Sequence, residues 1–320
     1  IDLEYMIAEE DMVITISHNG YIKRHPVSSW KTQKRGGRGM KGANTREDDY
    51  VEHLIVASTH SWMLFFSNTG KCYWMKVHQI PAASRTSQGR AIINLIGCDT
   101  EERVNAFVNV KDFDPEHYIV MATKKGLIKR TALPLYSKPR KGGIYAIEIK
   151  EGDELIQARV TNGEQDIIIA TELGKSIRFS EQQVRPTGRK TMGVRGIRLG
   201  SKDDRVIGML IVKREGTIMV ATDNGFGKRT SIDSYRQQNR GGKGVVTIKV
   251  TNKTGKLVKI LETKDTDDVM IITDQGVMIR QTIASIRVIG RNTQGVKLLK
   301  LDDNSFISSV TSVMNEDDEA

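Results

Sequence analysis

A four-residue motif, Ser/Thr-x-x-Gly, recurs six times along the chain at nearly constant spacing. Its copies end at Gly20, Gly70, Gly126, Gly174, Gly225 and Gly276, which lie 50, 56, 48, 51 and 51 residues apart. An apolar run rich in β-branched residues precedes the motif and a second short run follows it. This is the pattern of a β-hairpin whose turn needs the positive φ of glycine. Such a period indicates a repeat architecture in which each unit is one supersecondary element.

Each repeat carries a second glycine at a nearly fixed distance from the first. These glycines are Gly39, Gly89, Gly193, Gly244 and Gly295, each 19 residues after the first, and Gly143, which follows after 17 residues. Apolar residues one, four and six positions later, such as Val194, Ile197 and Leu199, predict a third strand. Runs such as residues 206–211 predict a fourth strand.

These units predict an all-β fold of six four-stranded antiparallel blades that close into one propeller-like ring. A ring is favoured because no single unit can bury both faces of its sheet, and helix periodicity is nearly absent. The predicted blades span approximately residues 1–58, 59–114, 115–163, 164–214, 215–265 and 266–314, and residues 315–320 form an acidic tail.

Composition narrows the class of protein. No stretch approaches the roughly 18 apolar residues of a membrane span, so a membrane protein is excluded. Cys72 and Cys98 form neither a CxxC pair nor a disulfide framework, which favours a reduced, cytoplasmic setting. The chain begins at Ile1 without a signal peptide, which suggests a piece of a longer protein. With 49 basic and 39 acidic residues, the net charge of +10 points to a polyanionic partner.

The basic residues follow the repeat in two rows. Four residues after the first glycine lies the first arginine row, which consists of Arg24, Arg130, Arg178, Arg229 and Arg280, with Trp74 at this position in the second copy. Four residues before the second glycine lies the second arginine row, which consists of Arg35, Arg85, Arg189, Arg240 and Arg291, with Arg140 one position off in the shortened third copy. The predicted rim also includes Lys41, Lys129, Lys141, Lys190, Lys228 and Lys243.

Ring closure would align these basic segments as a belt, because every blade places its segment at an equivalent position. Acidic clusters such as Asp203 and Asp204 lie at positions of the repeat that the basic segments do not occupy. Arginine in preference to lysine at two fixed offsets favours phosphate recognition, since the guanidinium fork binds oxygens in pairs. Two other interpretations stay open: solvated loop charges, and arginines paired with an acid of a neighbouring blade.

The predicted polyanion is duplex DNA. Single-strand binding relies on aromatic stacking, but aromatic residues make up only 6% of the chain and do not recur in register with the arginines. No helix is available to enter a major groove. We therefore expect contacts to the DNA backbone with bending, and little sequence selectivity.

One segment resembles a known family. The box Gln33, Lys34, Arg35, Gly36, Gly37, Arg38 and Gly39 resembles the Gln-Arg-Arg-Gly-Gly-Lys-Gly signature of the C-terminal domain of DNA gyrase A, with two positions changed and the charge kept. The resemblance extends over the chain, to residues 7–11 and 75–81 and to a near-box at 238–244. It implies a β-pinwheel, a propeller-like ring whose blades exchange a strand.

The resemblance also implies a function. The domain would wrap duplex DNA and present the wrapped segment for passage, so that ATP-driven strand passage introduces negative supercoils. Its implied partners are the N-terminal breakage-reunion domain of the same polypeptide and the gyrase B protein, in an A2B2 heterotetramer at the bacterial chromosome. ATP and magnesium would act elsewhere in that assembly, so this region would have no cofactor and no catalytic residues of its own. Adjacent glycines between cations would let the loop backbone approach a phosphate or a neighbouring blade.

Three rival functions differ in the sequence features they require. The C-terminal domain of the topoisomerase IV homologue of gyrase A, which guides decatenation or relaxation, has more degenerate boxes. A protein-binding propeller is disfavoured because Trp30, Trp62 and Trp74 do not recur once per blade. An enzyme in the central funnel has no supporting residues. The stretch 37–42 fits GxGxxG but opens no helix, and the six histidines lack metal-ligand spacing.

Two regions depart from the basic pattern. The second blade, with Trp74, is the least basic and lies off the expected DNA path. The tail holds four acids, Glu316, Asp317, Asp318 and Glu319, and no base. It is either a solvated end or a competitor of DNA for the belt. In the second case, deletion of residues 315–320 would tighten DNA binding at low salt.

Overall fold

Every repeat builds a hairpin with an inner strand beside it. The structure, a computed structural model, describes residues 2–27, 49–84, 86–213 and 215–313. The first hairpin strands are β1 (Asp11–Ser17), β4 (Trp62–Ser67), β8 (Tyr118–Thr123), β12 (Asp166–Thr171), β16 (Thr217–Thr222) and β20 (Asp268–Thr273). The second hairpin strands are β2 (Tyr21–Pro26), β5 (Lys71–Lys76), β9 (Leu127–Ala132), β13 (Lys175–Ser180), β17 (Phe226–Ser231) and β21 (Met278–Thr282). The inner strands, antiparallel to the first, are β3 (Val51–Ser58), β7 (Val104–Val110), β11 (Leu155–Thr161), β15 (Val206–Ile211), β19 (Leu257–Thr263) and β23 (Ile307–Val313).

The Ser/Thr-x-x-Gly motif is the hairpin turn in each repeat. The glycine N–H donates to the carbonyl of the Ser or Thr at 3.0–3.2 Å, as from Gly20 to Ser17. The Ser or Thr hydroxyl accepts the N–H of the residue after the glycine at 3.0–3.3 Å, as from Tyr21 to Ser17. The glycines have φ between 78° and 98°, where a side chain would be strained. Both recurrent positions of the motif therefore have a local physical cause.

The fourth, outer strand of a blade comes from the following repeat. The outer strands are β6 (Arg90–Ala91), β10 (Ile144–Tyr145), β14 (Val194–Arg195), β18 (Val245–Val246) and β22 (Val296–Lys297). They pair with β2, β5, β9, β13 and β17, so blades one to five each have four strands. In the described part of the chain the sixth blade has three, β21, β20 and β23. The second glycine allows this pairing: a Cβ at Gly193 (φ 86°) would lie 2.4 Å from the Ile128 carbonyl oxygen.

The apolar cores lie between blades. One cluster joins Met12 and Ile14 of the first blade to Met63 and Phe65 of the second, and equivalent clusters follow between each later pair up to the sixth blade. The sixth blade meets the first through β23 and β3, where the Thr311 hydroxyl donates to the Glu52 carbonyl at 2.9 Å. The described chain thus closes as a ring with the inner strands around its centre.

Helical structure is limited to short segments. The α-helix α1 (Ile92–Ile96) follows β6, and 3₁₀ turns span Leu3–Met6, Val77–Gln79, Leu133–Tyr136, Glu181–Gln183, Ile232–Ser234 and Ile283–Ser285. The predicted all-β fold of six blades with an exchanged strand is confirmed. The predicted third strand was wrong in length, since only two of its residues pair and later ones such as Ile197 enter the core instead. The exact blade boundaries stay a prediction, and the tail of residues 315–320 lies outside the described residues.

Candidate nucleic-acid interface

In four repeats the first arginine row ties a blade to the segment that the next repeat adds to it. The guanidinium groups donate to carbonyls at the 3₁₀ turn of the next repeat: Arg24 to Ile80 at 2.6 Å, Arg130 to Val184 at 2.8 Å, Arg178 to Tyr235 at 3.1 Å and Arg229 to Ile286 at 2.8 Å. Three of these arginines and Arg280 pair with carboxylates: Arg130 with Glu181, Arg178 with Asp166, Arg229 with Asp265 and Arg280 with Asp268. The pairs of Arg178 and Arg280 lie within one hairpin. The row is an inter-blade clamp.

Trp74, the exception in this row, makes the same link without a charge. Its indole N–H donates to the Tyr136 carbonyl at 2.9 Å, and Tyr136 ends the 3₁₀ turn of the next repeat. An indole cannot pair with a phosphate through charge, but it can satisfy a carbonyl. The shared requirement at this position is therefore an N–H donor for the carbonyl, and a positive charge is not needed.

The assignment to the DNA-contacting rim is corrected for the two buried members of this row and stays a prediction for the other three. Arg130 and Arg229 are only 6% and 5% exposed, and the donors of Arg24 and Arg178 are directed to protein carbonyls. Arg280 is more exposed, but its guanidinium pairs with Asp268 at 2.6 Å. The geometry fits the paired-arginine interpretation, although the partners are mainly carbonyls.

Lys129 and Lys228 were also assigned to the rim, and both are fully buried. The Lys129 ammonium donates to the Arg189 carbonyl at 2.6 Å and to the Ala146 carbonyl. Lys228 donates to the carbonyls of Gly290 at 2.8 Å and Arg291. Burial, with a smaller effect of the nearby arginine, lowers the pKa of Lys129 to about 7 and that of Lys228 to about 8. These lysines contact the loops of the rim from the inside.

The second arginine row lies on the outer edge of the blades. Each described member donates to a carbonyl of the preceding outer strand: Arg189 to Tyr145 at 3.5 Å, Arg240 to Arg195 at 2.7 Å and Arg291 to Val246 at 2.8 Å. None of the three forms an ion pair with a carboxylate of the described chain. A guanidinium has five N–H groups, so donors remain for a ligand.

Exposed cations flank this row. Of the predicted rim residues, the structure places Arg140, Lys141, Lys190 and Lys243 in solvent next to the loops. The outer strands add three cations that the sequence interpretation did not single out, Arg90, Arg195 and Lys297, all exposed. The sequence feature that could have identified these three cations is their position, one or two residues after the second glycine. Together with the second row they form what we call the outer rim: Arg90, Arg140, Lys141, Arg189, Lys190, Arg195, Arg240, Lys243, Arg291 and Lys297.

Acidic side chains concentrate at the hairpin-turn end of the blades. Asp49, Asp153 and Asp204 each accept the N–H of a turn residue at 2.9–3.0 Å. Ion pairs such as Arg103–Glu154, at 2.9 Å, connect repeats at this end. These acids therefore fasten hairpin turns, while others, such as Asp166 and Glu181, pair with the first arginine row.

Several predicted residues fall outside the described part of the chain. They are the whole box, Gln33, Lys34, Arg35, Gly36, Gly37, Arg38 and Gly39, together with Lys41 and Arg85. Their role in DNA binding stays a prediction. In the described residues, no helix is long and apolar enough to cross a membrane.

All six repeats match one known family. The family model "DNA gyrase C-terminal domain, beta-propeller" matches residues 11–58, 61–107, 117–162, 165–213, 216–264 and 267–314. The DNA gyrase A protein of Staphylococcus epidermidis is 45% identical over 318 residues, and that of Salmonella typhimurium is 41% identical over 313. In both cases the match covers 98% of this chain and 36% of the relative, so the chain spans about a third of their length.

Solved structures show the same fold. A DNA gyrase A C-terminal domain superposes with a TM-score of 0.80 at 24% identity, covering 95% of this chain and 100% of that one. The C-terminal domain of a DNA topoisomerase IV gives 0.79 at 24% identity, covering 97% and 95%. At this identity the likeness concerns the fold, and the family follows from the matched repeats and the curated relatives. The chain belongs to the DNA gyrase C-terminal domain family of β-propellers.

Proposed function

We propose that this chain is the DNA-wrapping region of a bacterial DNA gyrase, with duplex DNA bent around the outer rim. The observation that carries the proposal is the second arginine row. Arg189, Arg240 and Arg291 lie at one equivalent place on successive blades, hold the neighbouring outer strand and have no carboxylate partner in the described chain. Guanidinium groups so placed would meet the phosphates of one continuous backbone.

The energetics of such a complex are electrostatic. Smooth bending of 20–30 base pairs by 40–90° costs about 1–6 kcal/mol. Release of counterions offsets this cost, since log affinity falls by about 0.9 per log unit of salt for each phosphate that is neutralised. No element of the described rim is suited to read base edges, so selectivity would come from DNA deformability.

Within the whole enzyme, the wrapped segment would be presented to the breakage-reunion domain of the same polypeptide, in an A2B2 assembly with gyrase B in the bacterial cytoplasm. ATP and magnesium would serve those other regions, and this region would be non-catalytic. Its contribution would be the handedness of the wrap, which decides that strand passage introduces negative supercoils. The family relationship to DNA gyrase A supports this placement.

The direct test uses a nicked circular duplex that is religated with this chain bound. A change in linking number of one sign, absent without protein, is expected, and an unchanged topoisomer distribution would contradict wrapping. In the full enzyme, replacement of Arg35, Gly36, Gly37 and Arg38 by alanine should abolish negative supercoiling and leave ATP-dependent relaxation. Retained supercoiling would remove the box from the mechanism.

A second candidate is the corresponding domain of topoisomerase IV, because the superposition on that protein is equally good. The repeat of a near-complete box at 33–39 and 238–244 favours gyrase. The religation experiment separates the two, since a guiding domain that does not wrap would bind DNA with a steep salt dependence and give no topological change.

A further inference from the structure

The loops that carry the second arginine row are of two kinds, and the two kinds alternate around the ring. In repeats two, four and six a hydroxyl residue lies two positions before the second glycine: Ser87, Thr191 and Thr293. In repeats one, three and five two glycines are adjacent: Gly36–Gly37, Gly142–Gly143 and Gly241–Gly242. The ring is therefore built of three pairs of blades and not of six equal ones.

The hydroxyl loops share one internal hydrogen bond. The side-chain hydroxyl donates to the carbonyl three residues earlier: Ser87 to Ser84 at 3.0 Å, Thr191 to Gly188 at 3.0 Å and Thr293 to Gly290 at 2.9 Å. The second-row arginine, Arg189 or Arg291 in the fully described loops, lies within this turn. Its Cα position is thus fixed by the turn.

A buried lysine of the preceding blade is matched to each hydroxyl loop. Three residues after the first glycine the side chain is lysine in repeats one, three and five, and Tyr73, Ile177 and Ile279 in the others. Lys23 donates to the Ser84 and Ser87 carbonyls at 3.3 and 2.7 Å, and Lys129 to the Arg189 carbonyl at 2.6 Å. Lys228 donates to the Gly290 and Thr293 carbonyls at 2.8 and 3.2 Å, to the Thr293 hydroxyl at 2.9 Å, and to the Arg291 carbonyl.

These contacts make the lysines part of the rim although they do not reach its surface. Lys129 and Lys228 are fully buried and have no carboxylate partner in the described chain, so their charge is balanced only by loop oxygens. The carbonyls around the Lys228 ammonium lie on both sides of Arg291, and Lys129 holds the carbonyl of Arg189 itself. The two described diglycine loops contain no buried ammonium, because Tyr73 or Ile177 faces them. The exposed Lys71 donates to the Gly142 carbonyl at 3.2 Å.

Building on the proposed DNA function, we propose that Lys23, Lys129 and Lys228 are positioning residues that preorganise every second phosphate-contacting loop of the rim. The wrap would then use two alternating contacts: rigid, lysine-caged loops and adaptable, diglycine loops. A rigid loop offers its guanidinium without an ordering cost, which lowers the entropy lost on binding. An adaptable loop follows local variation in the path of the DNA.

Proton linkage gives a second signature. The positive charge of Arg189 acts on Lys129, and that of Arg291 acts on Lys228. The other titratable groups nearby are Cys72 and Tyr136 at Arg189, and Tyr235 at Arg291. The Tyr136 hydroxyl donates to the same Ala146 carbonyl as Lys129. Burial and, to a smaller extent, these arginines lower the pKa of Lys129 to about 7 and that of Lys228 to about 8, so both lysines are partly deprotonated near pH 8. A bound phosphate beside each arginine would favour the ammonium form. DNA binding at that pH should therefore be accompanied by proton uptake.

The test compares Lys129→Met/Lys228→Met with Ile177→Met/Ile279→Met, which places methionine at the same position in the intervening blades. Binding of a linear duplex that spans several blades is measured against salt, and proton uptake by calorimetry in two buffers of different ionisation enthalpy. The lysine variant should bind several-fold more weakly, lose up to about 2 from the salt slope, and take up fewer protons at pH 8. The isoleucine variant should match the wild type.

Other outcomes of this experiment would contradict either the positioning role or the DNA function on which it rests. Equal salt slopes and proton uptake in both double variants would refute the positioning role. A wild type without any salt slope would instead refute the DNA function itself. If the lysine variant does not fold, Thr293→Val, which removes one acceptor of Lys228 and the cap of its loop, is measured in the same way. The control is Thr254→Val, at a buried threonine beside the hairpin turn of the fifth repeat. Wild-type affinity for Thr293→Val would refute the proposal.

Discussion

The guanidinium of Arg130 and the carboxylate of Glu181 form a buried ion pair at 3.1 Å across two repeats. Glu181 is fully buried and also accepts the Thr161 hydroxyl at 2.8 Å and the Gln165 N–H at 2.9 Å. The face of Arg130 stacks on the Tyr118 ring at 4.4 Å. A residue that looked like a phosphate ligand is thus among the most enclosed charges of the described chain.

Arg130→Met should destabilise the fold without removing a DNA contact. The substitution leaves Glu181 buried without its cation, which costs about 3–5 kcal/mol. Urea unfolding should show this loss, and the salt slope of DNA binding, measured where the variant is folded, should stay at the wild-type value. A lower slope with unchanged stability would place Arg130 on the DNA path after all.

Trp74 offers a test of the clamp that involves no charge. Trp74→Phe keeps most of the apolar surface but leaves the Tyr136 carbonyl without its indole donor, which should lower the free energy of unfolding by about 1–3 kcal/mol. Trp74→Arg, which restores the residue type of the other repeats, should recover part of that loss. Urea denaturation of the three proteins gives the comparison; equal stability of Trp74→Phe and the wild type would show that the link is not energetically significant.

The sequence predicted the hairpins and inner strands because their causes are local. A hydroxyl and a glycine three residues apart, between β-branched runs, close the same turn in every repeat. The strand exchange was different, since a two-residue strand such as β14 carries no pattern that names its partner. Its position depends on the close approach of Gly193 to Ile128, about 65 residues away in sequence.

The site was predicted only in part for a related reason. Arginine in the first row was interpreted as a phosphate ligand because the guanidinium suits that role. The backbone carbonyls that these arginines bind, such as that of Val184 for Arg130, are distant in sequence and cannot be recognised from a pattern of side chains. Trp74 was the available clue, because an uncharged N–H donor in a row of arginines indicates a shared acceptor. The second row could be assigned to the outer edge from the sequence because its loops are exposed. In an exposed loop, fewer buried protein groups are available to bind the arginine.

A pair of exposed cations tests the outer rim directly. Arg140→Ala/Lys141→Ala removes two side chains that make no hydrogen bond within the described chain, so stability should change little. Each lost phosphate contact should reduce the salt slope by about 0.9. Gel-shift titration over a salt series provides the slopes.

Lys125→Ala/Lys202→Ala is the matched control for this pair. It removes the same charge from positions near the hairpin-turn end, where the acids concentrate. Its effect should be limited to a small, non-specific loss of affinity with the wild-type slope. Equal slopes for the two double variants would mean that net charge, and not the outer rim, determines binding.

The lowered pKa of Lys129 predicts how the free energy of unfolding depends on pH. Burial lowers its pKa from 10.5 to about 7 in the folded chain. Between these values the unfolded chain binds a proton that the folded chain does not, so the free energy of unfolding rises with pH, by at most about 1.4 kcal/mol per pH unit. Below about pH 7 both states are protonated and the dependence ends. Lys129→Met should lack this rise. The free energies of unfolding of wild type and variant are measured with urea from pH 6 to 10. Above pH 7 their difference should increase in favour of the wild type. A constant difference would show that the lysine keeps its proton throughout this range.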